Sequence, residues 1–290
     1  MLTPEQHDRS AAVLLGLAAG DALASGDDFE WSERTAAAVD IALLTADGRD
    51  PSEAAVREDL GADAEPEAAD PAAATRTAGR RLLRTAPVAL ALLDDPVALA
   101  EAARLVCSGR GIALTDSERG DPSTDRGAGD AAGLFGLSLR VAVLEGRLDA
   151  LAGLAALPTE VRAIWEAQLT AAGQGRAVDV RRRGTVGGLL QGAWAILGDE
   201  GAADASRVEQ VISRAARSGA DPASVAAAGA LLAGRWGLEA VPVAWRRLLH
   251  GRLHGRPDLV GVDLVRLGML SARSGVPHDP DDPARMDVLR

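Results

Sequence analysis

The chain has 290 residues, of which 47% are hydrophobic and 25% are charged, and its formal net charge is −11 at neutral pH. This is the composition of an ordinary globular protein, and the negative charge argues against nucleic acid or an anionic membrane as the partner. Only 2% of the residues are aromatic, while alanine and leucine are abundant, a bias that favours helices over strands.

The first predicted helix runs from Pro4 to Ala24. The Thr3 hydroxyl is a suitable N-cap and Pro4 suits the first turn. Gly16 and Gly20 are four residues apart and therefore share a face of this helix. Each glycine costs about 1 kcal/mol relative to alanine in a helix. Something must offset that cost, and both the close approach of another backbone and a bound ligand are open explanations.

The rest of the chain shows helical periodicity interrupted by turn-rich stretches, and no convincing period-2 alternation. We expect an all-α fold, a single domain spanning residues 1–275, followed by a frayed tail at 276–290. Loops are expected at Ser25–Glu30, Gly61–Pro71, Ser108–Gly129 and Gly173–Gly184. Beyond the first helix, the predicted helices are Ser32–Ala46, Thr75–Arg84, Ala86–Leu93, Pro96–Val106, Asp130–Leu144, Leu148–Leu157, Pro158–Ala172, Thr185–Leu197, Ala202–Arg217, Val225–Arg235, Pro242–His250 and Val262–Ala272.

Several common kinds of site are absent from the sequence. The single Cys107 excludes an internal disulfide and suits a reducing cytoplasm. Met1–Ser10 lacks the apolar core of a signal peptide, and no apolar run is long enough to span a bilayer. The four histidines form no zinc pattern; His250 and His254 are interpreted as a surface pair. We therefore expect a soluble cytoplasmic protein. The arginines of Thr75–Arg84 suit either a phosphate or, the preferred interpretation, a solvated helix face.

Two distant stretches carry the chemistry. The first is Gly20-Asp21-Ala22 followed by Trp31-Ser32-Glu33-Arg34-Thr35, and the second is the run from Gly219 to Ala227 followed by an Ala/Gly helix and Pro242-Val243-Ala244-Trp245. Together with segments at Arg84–Leu90, Asp94–Pro96 and Gly184–Trp194, these stretches resemble, in the correct order, the motifs of the ADP-ribosylglycohydrolase family. The resemblance extends from Ala12 to Ala272.

The resemblance implies an all-α fold in the form of a single-domain orthogonal helical bundle, and a binuclear Mg²⁺ centre. Its ligands would come from a Thr-Asp-Asp in the first motif and from the carboxylates and threonine of an Asp-Thr-Asp-Thr in the second. The two ions would bind the ribose of ADP-ribose and assist hydrolysis of its bond to a protein side chain. Hard cations of this kind need several oxygen ligands each, with carboxylates to balance their charge.

This chain departs from the family pattern at those ligands. The first motif reads Ser32-Glu33-Arg34, so that an arginine replaces a carboxylate, a change of two charge units. In the second motif Asp221 is retained, but the second aspartate is Ala223 and the threonine is Ser224. Two cations would then face a guanidinium with little negative charge to offset them.

Two interpretations of this altered site follow. In the first, Arg34 replaces the metal by pairing with Asp221, with Asp21 and Glu33 as further open partners, so no cofactor is expected. Alternatively, one Mg²⁺ is held by Ser32, Glu33, Asp221 and Ser224. We predict a divergent member of the family that lacks the binuclear centre. It is a pseudoenzyme towards ADP-ribosylated protein, or acts without metal on a nucleotide-type, ribosyl or other small ligand.

Candidate residues are assigned on that basis. The catalytic candidates are Glu33 and Asp221, and the ligand-binding candidates are Asp21, Ser32, Arg34 and Ser224, with Arg34 contacting a phosphate. A working Mg²⁺-dependent hydrolase that removes ADP-ribose from protein side chains is the second hypothesis. A non-catalytic scaffold or regulatory protein, with the acidic Gly61–Pro71 stretch as its contact surface and an unknown protein partner, is the third.

Overall fold

The computed structural model is almost entirely helical and describes residues 2–26, 28–51, 71–108, 127–175, 184–198, 204–253 and 256–273. Three short 3₁₀ helices lie at Leu154–Ala156, Ala205–Arg207 and Leu238–Ala240, and the two-residue strands β1 (His250–Gly251) and β2 (Leu259–Val260) pair antiparallel. The predicted all-α class is confirmed. The α-helices are α1 Pro4–Ser25, α2 Glu33–Ala46, α3 Pro71–Leu83, α4 Thr85–Ala91, α5 Pro96–Ser108, α6 Ala128–Glu145, α7 Thr159–Gly173, α8 Val186–Gly198, α9 Val208–Arg217, α10 Pro222–Trp236, α11 Val243–Leu248 and α12 Gly261–Ser271.

An antiparallel pair, α1 and α10, forms the centre of the bundle and makes its most extensive helix contact. Residues Ser10–Ala22 of α1 and Ala223–Gly234 of α10 are buried. A methyl group on Gly16 would overlap the Gly229 carbonyl of α10, and one on Gly20 would lie 2.8 Å from the Cα of Ala226. Close backbone packing therefore accounts for both glycines of α1, and it brings the end of α1 to the start of α10.

The other helices pack around this pair. Helices α9 and α12 lie against α1, whereas α6, α8 and α9 lie against α10. Helix α2 packs on α3, α4 and α12, and the buried hydroxyls of Thr45 in α2 and Ser271 in α12 are 2.9 Å apart. The first helix thus contacts the last one, and one core connects them. Among the residues that the structure describes, no helix is both long and apolar enough to cross a lipid bilayer.

Several predicted boundaries were wrong. Leu148–Leu157 forms turns and the short 3₁₀ helix Leu154–Ala156 instead of an α-helix, because the Asp149 carboxylate accepts the Leu151 N–H at 2.9 Å and starts a turn. Helix α9 begins only at Val208, since Asp204 caps the preceding 3₁₀ helix. Helix α10 begins at Pro222, three residues earlier than predicted, with Asp221 as its N-cap.

Other expectations fall on parts of the chain that the structure does not describe. These are the loop predicted at Ser108–Gly129 apart from its ends, the acidic stretch Gly61–Pro71 apart from Pro71, and the tail at 276–290. His254 is also outside the described residues, so the predicted histidine pair stays a prediction. Ala128 and Gly129, predicted as loop, lie in the first turn of α6.

Candidate functional site

The first motif forms a buried hydrogen-bonded cluster around the carboxylate of Asp21, which is completely buried in the last two turns of α1. Its Oδ2 accepts hydrogen bonds from the Ser32 backbone N–H (2.9 Å), the Ser32 hydroxyl (2.7 Å) and the Thr35 hydroxyl (2.8 Å). Its Oδ1 accepts one from Arg34 Nε at 3.2 Å and lies 3.2 Å from Arg34 Nη2. We call Asp21, Ser32, Arg34 and Thr35 the Asp21 clamp. It joins the end of α1 to the start of α2.

Arg34 is held along its whole length. Its Nη2 also donates to the Ser25 hydroxyl at 3.0 Å, and its side chain is only 13% exposed. Its alkyl stem lies against α3, where a methyl group on Gly79 would be 2.9 Å from Arg34 Cδ and 3.0 Å from the methyl of Ala223. The arginine, the glycine of α3 and the alanine of α10 therefore fit one another. A side chain on Gly79 would therefore displace Arg34 or the start of α10.

The second motif forms the start of α10. Asp221 is the N-cap, and its Oδ1 accepts the Ala223 backbone N–H at 2.9 Å. Burial raises the pKa of the Asp221 carboxyl, while its backbone hydrogen bonds and the positive charge of Arg34 oppose that rise. Ser224 is buried, and its hydroxyl donates to the Leu189 carbonyl of α8 at 2.9 Å. Asp221 is thus a partly desolvated carboxyl near Arg34 but outside the clamp.

Arg34 pairs with Asp21 and not with Asp221. The sequence predicted Asp221 as the first partner of Arg34, with Asp21 or Glu33 as further ones; the Asp221 pairing was wrong, because within the described residues the ion pair of Arg34 goes to Asp21 alone. Glu33 points away from the clamp, with its side chain 56% exposed and its carboxylate 3.9 Å from both Arg76 and Arg80 of α3. Arg84, by contrast, is buried, so the expected solvated face does not extend to the end of this arginine cluster.

A cleft of about 890 Å³ opens between α8, α9 and the first turn of α10. A volume of this size suits a small organic ligand. Its walls are mostly apolar, with an arginine and three serine or aspartate side chains among them. The polar side chains that line it are Arg214, Ser218, Asp221 and Ser224. Among the described lining residues, the second motif is therefore represented and the Asp21 clamp is not.

The residues of this region do not fit the binuclear Mg²⁺ centre that the resemblance implies. Both carboxylate oxygens of Asp21 accept hydrogen bonds within the clamp, and the cationic Arg34 stands where the family pattern has a metal-ligating carboxylate. Ala223 has no donor atom, and Glu33 is turned to solvent. In the part of the chain that is described, no three His, Cys, Asp or Glu side chains lie close enough to share a metal ion. Asp221 and Ser224 alone offer too few oxygens for a hard cation.

The structure thus divides the six candidate residues into three groups. Asp21, Ser32 and Arg34 lie together in the clamp, Asp221 and Ser224 lie together at the cleft, and Glu33 is on the outer face of α2. Sequence reasoning missed Thr35, which adds a third hydrogen bond to Asp21 Oδ2. It also missed Gly79, whose only signal was a glycine inside an arginine-rich helical stretch.

Comparison with known proteins agrees with this architecture. A solved structure named "ADP-ribosylglycohydrolase-related protein complex" superposes with a TM-score of 0.58, covering 94% of this chain and 99% of the other at 23% identity. At that identity the likeness shows the fold. No curated protein matches the sequence significantly. The family model for ADP-ribosylglycohydrolase matches residues 2–273. With nearly the whole chain matched, this protein belongs to the ADP-ribosylglycohydrolase family.

Proposed function

We propose that this protein is a family member that has exchanged the binuclear Mg²⁺ centre for an internal ion pair and binds a small ligand in the cleft beside Asp221. It does not act as a Mg²⁺-dependent ADP-ribosylhydrolase. The observation that carries the proposal is the Asp21–Arg34 pair, in which both partners are buried or nearly so. An arginine fork cross-links carboxylate and hydroxyl groups as a metal ion would, but has no open coordination position for a substrate.

The ligand is of nucleotide, ribosyl or similar small-molecule type. The size of the cleft and its mixture of apolar walls with a few polar side chains support this. Arg34 gives little support to the earlier idea of a phosphate contact, because its Nε and Nη2 are used within the clamp and it is not among the described lining residues of the cleft. Arg214, which is among them, is the better candidate for an anionic group of the ligand.

A second activity is favoured by Asp221 itself. Its carboxyl lines the cleft, and burial raises its pKa, which is the direction that brings a carboxyl closer to general acid–base work at neutral pH. Metal-independent cleavage of a glycosidic bond would require protonated Asp221 to donate its proton to the leaving group while water attacks the sugar carbon; the attacking water releases its proton to solvent, and Asp221 regains one from solvent. Glu33 is exposed and points towards Arg76, so it does not supply a second carboxyl to this reaction.

Metal content tests the proposal directly. We expect purified protein to carry no stoichiometric Mg²⁺ or Mn²⁺ by elemental analysis, and millimolar Mg²⁺ to leave its melting temperature unchanged. Binding of about two equivalents would contradict the proposal. The double variant Arg34→Asp with Ala223→Asp restores the two lost carboxylates, and we expect it to gain Mg²⁺ stabilisation. Glu33→Asp in the wild-type background is the matched control, because it gives the first motif the aspartate of the family pattern while leaving Arg34 in place.

Ligand binding needs a separate measurement. A thermal-shift screen with ADP-ribose, NAD, ADP and adenosine should find at least one compound that stabilises the wild type, and Asp221→Asn should weaken that effect. Stabilisation that is unchanged in Asp221→Asn would place the ligand elsewhere. No stabilisation by any of the four would favour the scaffold alternative instead.

A further inference from the structure

The segment of residues 242–273 has a positive net charge and exposed aliphatic side chains, whereas the rest of the chain has a negative net charge. Residues 242–273 contain six arginines and two aspartates, a formal charge of +4. The whole chain carries −11, so the remaining residues carry −15. Four large aliphatic side chains in this region are 43–52% exposed. We call the following residues the α11–α12 face: Val243, Arg246, Arg247, Leu248, Val260 and Val262.

Backbone contacts make this face continuous. The Gly261 N–H donates to the Leu249 carbonyl at 3.0 Å, and His250 pairs with Val260 across the β1–β2 ribbon. A side chain on Gly261 would overlap the Arg246 carbonyl. The end of α11 is therefore in direct contact with the start of α12, which brings the exposed residues of the two segments into one region of the surface. Val243 is one helical turn from Arg246 and Arg247 and shares their side of α11.

The arginines of α11 have no acidic partners among the residues that the structure describes. Within the described residues, neither Arg246 nor Arg247 forms an ion pair, and Arg246 Nε is buried without any hydrogen-bond partner. The acids of the neighbourhood are used elsewhere. Arg252 lies 3.9 Å from Asp258, and the Asp263 carboxylate accepts the Val260 N–H and lies 4.0 Å from Arg266. Guanidinium groups without ion pairs beside exposed aliphatic side chains are typical of a surface that binds an acidic partner.

We propose that the α11–α12 face docks an acidic amphipathic helix of a partner protein. A second copy of this chain does not suit the face, because a two-fold contact would place arginine against arginine. An anionic membrane suits it less, since the −15 of the remaining chain is repelled by the same lipid headgroups. Addition of a strand is also disfavoured, because β2 has two residues and its Val260 N–H is already used.

The face also borders the segment that leads into the Asp21 clamp. The Trp31 N–H donates to the His250 carbonyl at 3.1 Å, and the His250 N–H donates to the Phe29 carbonyl at 3.2 Å. Trp31 packs on Gly251, where a side chain would overlap its indole ring. The ribbon that adjoins the face is therefore hydrogen-bonded to Trp31, the residue that precedes Ser32.

A synthetic helix tests the face. The probe is a fluorescein-labelled amphipathic peptide of about 18 residues with leucine along one stripe and glutamate on the remaining positions, and its control carries lysine in place of glutamate. We expect fluorescence anisotropy at low salt to show the acidic peptide binding at least about tenfold tighter than the lysine peptide, with an affinity that falls as salt rises. Equal binding of the two peptides, or no binding of the acidic one, would overturn the proposal.

Variants locate the contact. Arg247→Glu with Leu248→Glu changes two exposed residues of the face and should weaken peptide binding at least about tenfold. Arg207→Glu with Val97→Glu makes the same chemical changes at exposed positions elsewhere and should leave it unchanged. If Arg247→Glu with Leu248→Glu lowers the melting temperature, the single variant Val262→Asp provides an independent test of the same face and should also weaken peptide binding. If both double variants bind equally, the face is not the site.

Lipid vesicles separate the remaining alternative. Vesicles of phosphatidylglycerol and phosphatidylcholine should not cosediment with the wild type. If they do, and if Arg247→Glu with Leu248→Glu abolishes that binding while the acidic peptide fails to bind, then the face belongs to a membrane and the protein-docking proposal is overturned. None of these outcomes depends on metal or ligand binding at the Asp21 clamp or the cleft.

Discussion

Replacing Arg34 by methionine would measure what the ion pair contributes to stability. Methionine keeps an unbranched stem against Gly79, so the change removes mainly the guanidinium group. Asp21 Oδ1 would then keep only the Ser25 hydroxyl, at 3.4 Å, while Oδ2 would keep its three hydrogen bonds. Removing one partner of a buried ion pair costs about 3–5 kcal/mol. We expect Arg34→Met to lower the free energy of unfolding by about 3 kcal/mol, the lower end of this range, because Asp21 Oδ2 keeps its hydrogen-bond donors.

Urea unfolding followed by tryptophan fluorescence is the assay. Adding Asp21→Asn to Arg34→Met removes the uncompensated charge, and we expect the double variant to be more stable than the sum of the two single losses predicts, with a coupling of about 2 kcal/mol. Arg247→Met, at an exposed arginine without an ion pair, should change the free energy of unfolding by less than about 0.5 kcal/mol. A loss that small for Arg34→Met, or additive losses in the double variant, would refute the view that the pair holds the site together.

Three further predictions concern the pH dependence and the packing. Burial raises the pKa of Asp221 in the folded state above its ordinary value of 3.8. Protonation of Asp221 therefore stabilises the fold at pH values below 3.8, and this contribution is lost as the pH rises through the folded-state pKa. Asp221→Asn, which can still cap the helix, should therefore gain stability relative to the wild type as the pH rises from about 4, and parallel stability curves would contradict this. Gly79→Ala should lower the free energy of unfolding in urea by about 1–2 kcal/mol. If the new methyl group and Arg34 compete for the same space, this loss should be at least about 1 kcal/mol smaller in an Arg34→Ala background. Gly16→Ala should cost about 3 kcal/mol and lower the melting temperature by about 6–12 °C, whereas Gly173→Ala, with open space around it, should not; equal effects would argue against the close approach of α1 and α10.

The sequence predicted the class of fold because its signals are local. The Thr3 hydroxyl accepts the Gln6 N–H at 3.3 Å and the Gln6 side chain accepts the Thr3 N–H at 2.9 Å, a capping box that needs only four consecutive residues. Where local signals competed, prediction was wrong. Leu148–Leu157 is apolar enough for a helix, but the Asp149 side chain offers the backbone an alternative bond and the chain turns.

The sequence also identified the altered motifs, since the order of residues in Ser32-Glu33-Arg34 and in the stretch from Asp221 to Ser224 is visible without coordinates. It could not assign a partner to Arg34. An arginine stem at the start of α2 reaches acids on either neighbouring helix, and the choice depends on how the antiparallel α1 and α10 present Asp21 and Asp221.

By itself, then, the sequence determined that this is a helical protein of a recognisable family in which an arginine stands where an acid is expected. Only the tertiary structure decided that Arg34 closes on Asp21, that Gly79 makes room for it, and that the cleft opens beside Asp221 between α8 and α9. The physical reason is distance along the chain. Helix formation and capping depend on neighbours within four residues. The clamp joins groups 11 to 14 residues apart on two consecutive helices, and the cleft lies between three helices, so both form only when the core packs.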